Sequence, residues 1–258
     1  MSKKETKEKK EEGKKKEKKK ESENDEKNKD KKEEKVSIDI NVEELGKAGL
    51  HFGHSSSKRH PNMKPYIDGV KGEVHILDLT KTAEKLEQAL IFLAEQKKKG
   101  KSIMIVGTKP QTEQIVKETA KKHNLPYITY RWIGGFLTNF NEVKKRIKHL
   151  NDLLKKREAG DFDKYTKKEQ LEIDREIEAL NKKFGGVREL NSIPDILFCL
   201  NMDKDEIAIE EARQKDVKIV AVCDSNTDPM KVDYPIPAND DAISSIKLIL
   251  EKFDEVIS

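Results

Sequence analysis

Asp195-Ile196-Leu197-Phe198-Cys199-Leu200 and Lys218-Ile219-Val220-Ala221-Val222-Cys223 decide the fold. Each is apolar almost without a break, so neither shows the alternation of a strand with one wet face. Such runs predict strands covered on both sides. Residues 74–79, 103–107 and 127–130 are Ile-, Val- or Leu-bearing runs of similar length and predict three more. Helical steps lie between them. Leu79, Ala83, Leu86, Leu90 and Leu93 advance by 4, 3, 4 and 3, and Ile243, Ile246, Leu250 and Phe253 by 3, 4 and 3. Pro110 suits the first turn of a helix carrying Ile115 and Val116. Asp203 with Glu206 predicts a capping box, and Asn239 a cap for the last helix, with Asp240 and Asp241 in its first turn. Strand–helix alternation of this kind predicts an α/β sandwich around a parallel sheet.

One segment breaks the rhythm. Val143, Ile147, Leu150 and Leu154 step by 4, 3 and 4, and Ile173, Ile177, Leu180 and Phe184 repeat those steps after a polar connection containing Gly160. Two helices with narrow apolar seams predict an antiparallel hairpin projecting from the α/β body. Thr166 and Glu169 predict a capping box on the second helix, and Gly185-Gly186 a left-handed end. The organisation expected is therefore a tail over 1–35, the first part of the α/β domain over 36–140, the hairpin over 141–186 and the rest of the domain over 187–258.

Charge is divided unevenly. Residues 1–35 hold 16 lysines and 12 acids with no apolar residue after Met1, a composition that predicts a disordered tail. Residues 36–190 carry a net +8 and residues 191–258 a net −8. Such a two-signed molecule can set its positive half on a polyanion and turn its negative half to solvent or basic proteins. The N-terminus has no apolar core of a secretory signal, and no run approaches the ~20 apolar residues of a membrane span, which predicts a soluble intracellular protein. Cys199 and Cys223 sit in apolar runs and predict buried reduced thiols.

Three clusters carry the chemistry. Residues 131–140, RWIGGFLTNF, hold the only tryptophan, two adjacent glycines and two phenylalanines between a strand and the first hairpin helix. Trp132, Phe136 and Phe140 predict a hydrophobic joint, and Arg131 a phosphate contact at a strand end. Just beyond, Lys144, Lys145, Arg146, Lys148, Lys155, Lys156 and Arg157 face only Glu142 and Asp152 within residues 141–157, as a phosphate-contacting arm would. Residues 49–67 add Lys58, Arg59 and Lys64. His51 and His54 there have no local cysteine or carboxylate to complete a zinc site, so no metal is assigned. In the third cluster Asp224, Asp228, Asp240 and Asp241 suit either turn and helix-start roles or a magnesium-dependent flavodoxin-like enzyme. No Walker-type or dinucleotide-binding glycine pattern accompanies them, and Gly107-Thr108-Lys109-Pro110 reads as a tight connection only.

These blocks also carry a resemblance. GLHFGH (49–54), PNMKPYI (61–67), RWIGGFLTNF (131–140), PDILFCL (194–200), DSNTDPM (224–230) and IPANDDAISSIKLI (236–249) resemble, in order, the signature blocks of the universal family of the second small-subunit ribosomal protein, in its bacterial form. The resemblance spans about residues 36–253. It implies a flavodoxin-like three-layer α/β domain with a protruding coiled-coil hairpin, and a structural role without catalysis or cofactor. The implied partners are 16S ribosomal RNA and other small-subunit proteins, including the large mRNA-binding first small-subunit protein in bacteria that possess it. The implied location is the small ribosomal subunit in the cytoplasm. His60-Pro61-Asn62, Asn201 and Ala238 depart from the usual family pattern, and the lysine–glutamate tail has no expected counterpart.

Overall fold

Strands Ile103–Val106 (β4), Tyr127–Ile128 (β5), Ile196–Cys199 (β6), Lys218–Cys223 (β7) and Tyr234–Pro237 (β8) pair in parallel as one sheet, in the order β5-β4-β6-β7-β8. This is a computed structural model, and it describes residues 40–257. The 1–35 stretch, for which disorder is expected, lies outside the described residues.

Both faces of the sheet are covered, which is why its strands read as unbroken apolar runs. Ile103, Ile105, Ile196, Phe198, Val220 and Val222 point into one core. Helices Val42–Lys47 (α1), Leu79–Lys98 (α2), Glu113–Lys122 (α3) and Ile243–Ile257 (α7) close it with Leu45, Leu86, Leu90, Val116, Ile246, Leu250 and Phe253. Met104, Val106, Leu197, Cys199, Ile219 and Ala221 point into the opposite core. There they meet helices Phe140–Glu158 (α4), Lys167–Phe184 (α5) and Glu206–Gln214 (α6). Each fully buried Leu, Ile or Phe contributes about 1.5–3 kcal/mol. The two thiols are buried, and burial pushes Cys223 up to about 12 and Cys199 well above its ordinary value, so both are inert.

Several expectations need correction. The run 74–79 is not in the parallel sheet: Val74–Leu77 (β3) lies between Phe52–Ser55 (β1) and Ile67–Lys71 (β2) in a separate antiparallel sheet, ordered β1-β3-β2. Its burial alternates as a half-covered strand should, with His75 and Leu77 buried and Val74 and Ile76 half-buried. Asp78 then starts α2, its Oδ1 accepting the Thr80 and Lys81 N–H groups at 3.0 and 3.4 Å. Strand β8 carries Pro235 and Pro237 and sits at a sheet edge, where a missing donor is tolerated.

The Asp203–Glu206 capping box does not form. Helix α6 begins at Glu206 after a turn in which Asn201 Oδ1 accepts the Lys204 N–H at 2.7 Å. Asp240 and Asp241 precede α7 rather than occupying its first turn, and Asn239 Oδ1 accepts the Asp241 and Ala242 N–H groups.

Helices α4 and α5 pack on each other, burying Ile147, Leu150, Ile177 and Phe184, and the Thr166–Glu169 capping box of α5 is formed. Helix α5 ends differently from the expectation: Gly185 is right-handed, with φ −56°, and a 3₁₀ turn follows over Gly185–Val187. Gly186 is there for close approach, because a Cβ at this position would fall 2.6 Å from the Tyr127 ring and into the Tyr127 carbonyl. Gly186→Ala is therefore expected to push β5 off this turn and cost about 2 kcal/mol. Urea denaturation measures this, and an unchanged midpoint would refute the clash.

Candidate nucleic-acid interface

The RWIGGFLTNF stretch is organised around a carboxylate that no sequence pattern connects with it. Glu211 of α6 is 6% exposed and accepts five hydrogen bonds from the loop. The donors are Trp132 Nε1 at 3.1 Å, the N–H groups of Gly135, Leu137 and Thr138 at 2.7, 2.9 and 3.1 Å, and the Thr138 hydroxyl at 3.2 Å. Burial alone would raise the Glu211 carboxyl, but the donors from Thr138, Trp132, Gly135 and Leu137 outweigh it and hold the group below its ordinary value. Gly135 turns the chain at φ +85°, a conformation costly to residues with a Cβ. Around this clamp Trp132, Phe136 and Phe140 are buried, with ring centroids 5.0 and 6.3 Å apart, and form the expected joint. Arg131 is exposed beside them.

The cations named from the sequence fall into two groups. Lys58, Arg59, Lys64, Arg131, Arg146, Lys148, Lys155 and Lys156 are exposed and have no hydrogen-bond or ion-pair partner among the described residues. The other three are engaged: Lys145 Nζ pairs with Glu142 at 2.6 Å, Arg157 pairs with Asp174 of α5, and Lys144 Nζ donates to the Asn191 carbonyl at 3.2 Å. Lys182 of α5 stands 4.3 Å over the Tyr130 ring, an exposed cation–aromatic pair beside Arg131.

At the ends of β6 and β7 the acidic cluster meets the histidine cluster. His54 Nδ1 lies 2.9 Å from Asp224, and its N–H donates to Ser225 Oγ at 2.8 Å. The hydrogen bond to Asp224 raises His54 above its ordinary value; burial opposes this, and the charges of Asp224, Asp240 and Asp241 reinforce it. Lys109, assigned no role from the sequence, places Nζ 2.8 Å from Asp240 and 2.6 Å from Asp241. Asn201 Nδ2 donates to the other Asp240 oxygen at 2.7 Å. Burial would lower Lys109, yet the two carboxylates hold it charged. Burial pushes Asp240 up to about 6: Lys109 opposes this, but Asp224 and Asp241 add to it. The shifts of the two partners differ because the lysine gains from two carboxylates, while Asp240 is the more deeply buried and faces further negative charge.

Asp228 caps a 3₁₀ turn at Met230 and accepts from Asn62 Nδ2 at 2.8 Å. Asp205, also buried, rises to about 6 through burial, which the Thr108 hydroxyl at 2.9 Å offsets only in part.

The four aspartates of the enzyme alternative are thus engaged with protein groups. One group does have ligand spacing: His54, Asp224 and Asp240 offer a nitrogen and two oxygens all within 4.8 Å of one another, so these residues could hold a cation. The carboxylates that His54 lacked locally come from 170 or more residues away. His51 is not among the three; it packs on Phe52 with ring centroids 4.0 Å apart.

An α/β scaffold whose cluster of His54, Lys109, Asp224, Asp240 and Asp241 is paired internally, and whose unpaired cations include a group on exposed loops and α4, has the charge pattern of a binding protein. Comparison with known proteins makes the class specific. The family model described as Ribosomal protein S2 matches residues 45–258. The small ribosomal subunit protein uS2 of Coprothermobacter proteolyticus is 44% identical over 84% of this chain and 81% of its own length. The proteins of that name from Dictyoglomus turgidum and Helicobacter acinonychis are 44% and 42% identical, each over 84% of this chain and 89% of their own length. The chain belongs to the ribosomal protein S2 family.

Proposed function

We propose that this chain is a structural constituent of the small ribosomal subunit in the cytoplasm, binding 16S ribosomal RNA and neighbouring ribosomal proteins. The observation that carries the reading is the family match running through the described fold at 42–44% identity to relatives named as small-subunit proteins. Among the described residues no helix is long and apolar enough to cross a membrane. The enzyme alternative has no support, since Asp224, Asp228, Asp240 and Asp241 are held by His54, Asn62, Lys109 and Asn201.

In this reading the α/β body is a flavodoxin-like three-layer sandwich made of residues 36–140 and 187–258, and residues 141–186 form an antiparallel coiled-coil arm. Lys58, Arg59, Lys64 and Arg131, with Lys144, Lys145, Arg146, Lys148, Lys155, Lys156 and Arg157 of the arm, supply the positive surface for phosphates. The C-terminal third, net −8, is mainly scaffold or protein-facing, and the large mRNA-binding first small-subunit protein is a partner where one exists. Changing Lys58, Arg59 and Lys64 together to glutamate, in exposed turns, is expected to leave the fold intact. The variant should be strongly under-represented in small subunits when expressed beside the wild type. Equal representation by quantitative mass spectrometry would remove these residues from the interface.

A further inference from the structure

The cations of α4 are not equivalent. Helical geometry puts Lys144, Lys148, Asn151 and Lys155 on one face, successive members one turn apart. Asn151 is the only one of the four without a charge, and the structure fills that level from elsewhere. Arg188 Nε donates to Asn151 Oδ1 at 3.0 Å, and Asn151 Nδ2 donates back to the Arg188 carbonyl at 3.3 Å. The result is one cation per turn at four successive levels, over about 16 Å of helix. Asp152, four residues after Lys148 and three before Lys155, flanks the row but forms an ion pair with neither. Lys144 is fixed in place by the Asn191 carbonyl, which leaves its charge uncompensated.

The opposite flank is built differently. There His149 meets Glu176 at 3.0 Å and Arg157 pairs with Asp174, so its charges serve the contact with α5. Beside the charged face lies a cleft of about 720 Å³, lined by Lys121, Tyr127, Asn151, Lys155, Gly186 and Arg188. A space of that size is within the range of small-ligand sites, about 300–1,000 Å³, and admits a nucleobase. Glu158 and Glu189 also line it, and their carboxylates suit the exocyclic amino groups of a base rather than a phosphate.

We propose that Lys144, Lys148, Arg188 and Lys155 form a track for the sugar–phosphate backbone of one RNA strand, with an unpaired base of that strand seated in the adjoining cleft. The repeat along the helix, about 6 Å for an i, i+4 pair, is near that of consecutive phosphates on a strand. A duplex presents its bases stacked and paired, so the cleft selects a single-stranded segment. This inference rests on the ribosomal RNA-binding reading and assigns it a place and a strandedness.

The test uses the full-length protein and a single-stranded RNA of about 12 nucleotides, with its duplex as comparison. Removing one cation–phosphate pair should lower affinity about fivefold at 0.1 M salt and reduce the salt slope by about 0.7. Lys148→Gln with Lys155→Gln is therefore expected to weaken single-strand binding about 25-fold and flatten the slope by about 1.4. Lys98→Gln with Lys99→Gln, exposed at the end of α2 on the other face of the sheet, should change it by less than about threefold. Thermal melts establish that both pairs fold.

Equal weakening by the two pairs, or no binding of the single strand by the wild type, would overturn the track. Neither result bears on subunit membership, which co-sedimentation reads separately. Track variants that bind RNA normally yet leave the subunit would mean that the face holds an acidic protein segment, which also overturns the proposal.

Discussion

Replacing Glu211 with glutamine is expected to lower the unfolding free energy by about 4 kcal/mol, the usual cost of breaking a buried charge-assisted network, and the melting temperature by roughly 10 °C. The carboxylate receives five donors, three of them backbone N–H groups of the loop. An amide offers one oxygen where the carboxylate offers two, and it points N–H groups at N–H groups. Trp132, the chain's single tryptophan, donates to this carboxylate, so its fluorescence reports the loop directly.

The effect has a defined pH dependence. A folded pKa below the ordinary value means that the stability Glu211 confers is fully present above about pH 4.3, the unfolded value, and is lost as pH falls through the folded one. The gap between wild type and Glu211→Gln should therefore close in acid. A difference under about 1 kcal/mol at pH 7 would show that the loop is held by its aromatic contacts alone.

Lys109→Met is expected to be almost as damaging, about 3 kcal/mol at neutral pH, because it removes the one ammonium beside two carboxylates while Asp240 stays buried at 1% exposure. Asp240 already sits at about 6, above the ordinary aspartate value. With a raised folded value, its contribution is most favourable below about pH 3.9, where it is protonated in both states, and declines as pH rises through 6. Loss of the lysine raises that folded value further. The variant's deficit should be largest near pH 8 and shrink toward pH 5, as monitored by melting temperature. A deficit that grows in acid would place the main role of Lys109 elsewhere.

The parts of the fold that could be read from the sequence were those fixed by burial pattern. Runs covered on both faces cannot alternate, and so 196–199 and 218–223 stand out, as do the helical steps of α2, α4, α5 and α7. The run 74–79 misled because Val74, Ile76, Leu77 and Leu79 crowd a short strand ending at a helix cap, although only His75 and Leu77 of that strand are buried. Strand β8 was hidden by its two prolines. Glu211 was invisible for a different reason: within Glu210-Glu211-Ala212-Arg213 it resembles any solvated helix face, and three of its five donors are backbone groups more than 70 residues away. Of the candidate surface, the identity of the cations was legible. Which of them are tied, as Arg157 is to Asp174, and that Arg188 completes a row begun by α4, depends on tertiary contacts that composition does not encode.

Sucrose-gradient sedimentation of a tagged full-length chain from native lysate tests the central claim most directly. The account predicts that the chain travels with the small ribosomal subunit at low salt and is released toward the top of the gradient as salt is raised. A chain found at the top of the gradient at low salt, while other small-subunit proteins remain in their peak, would contradict it.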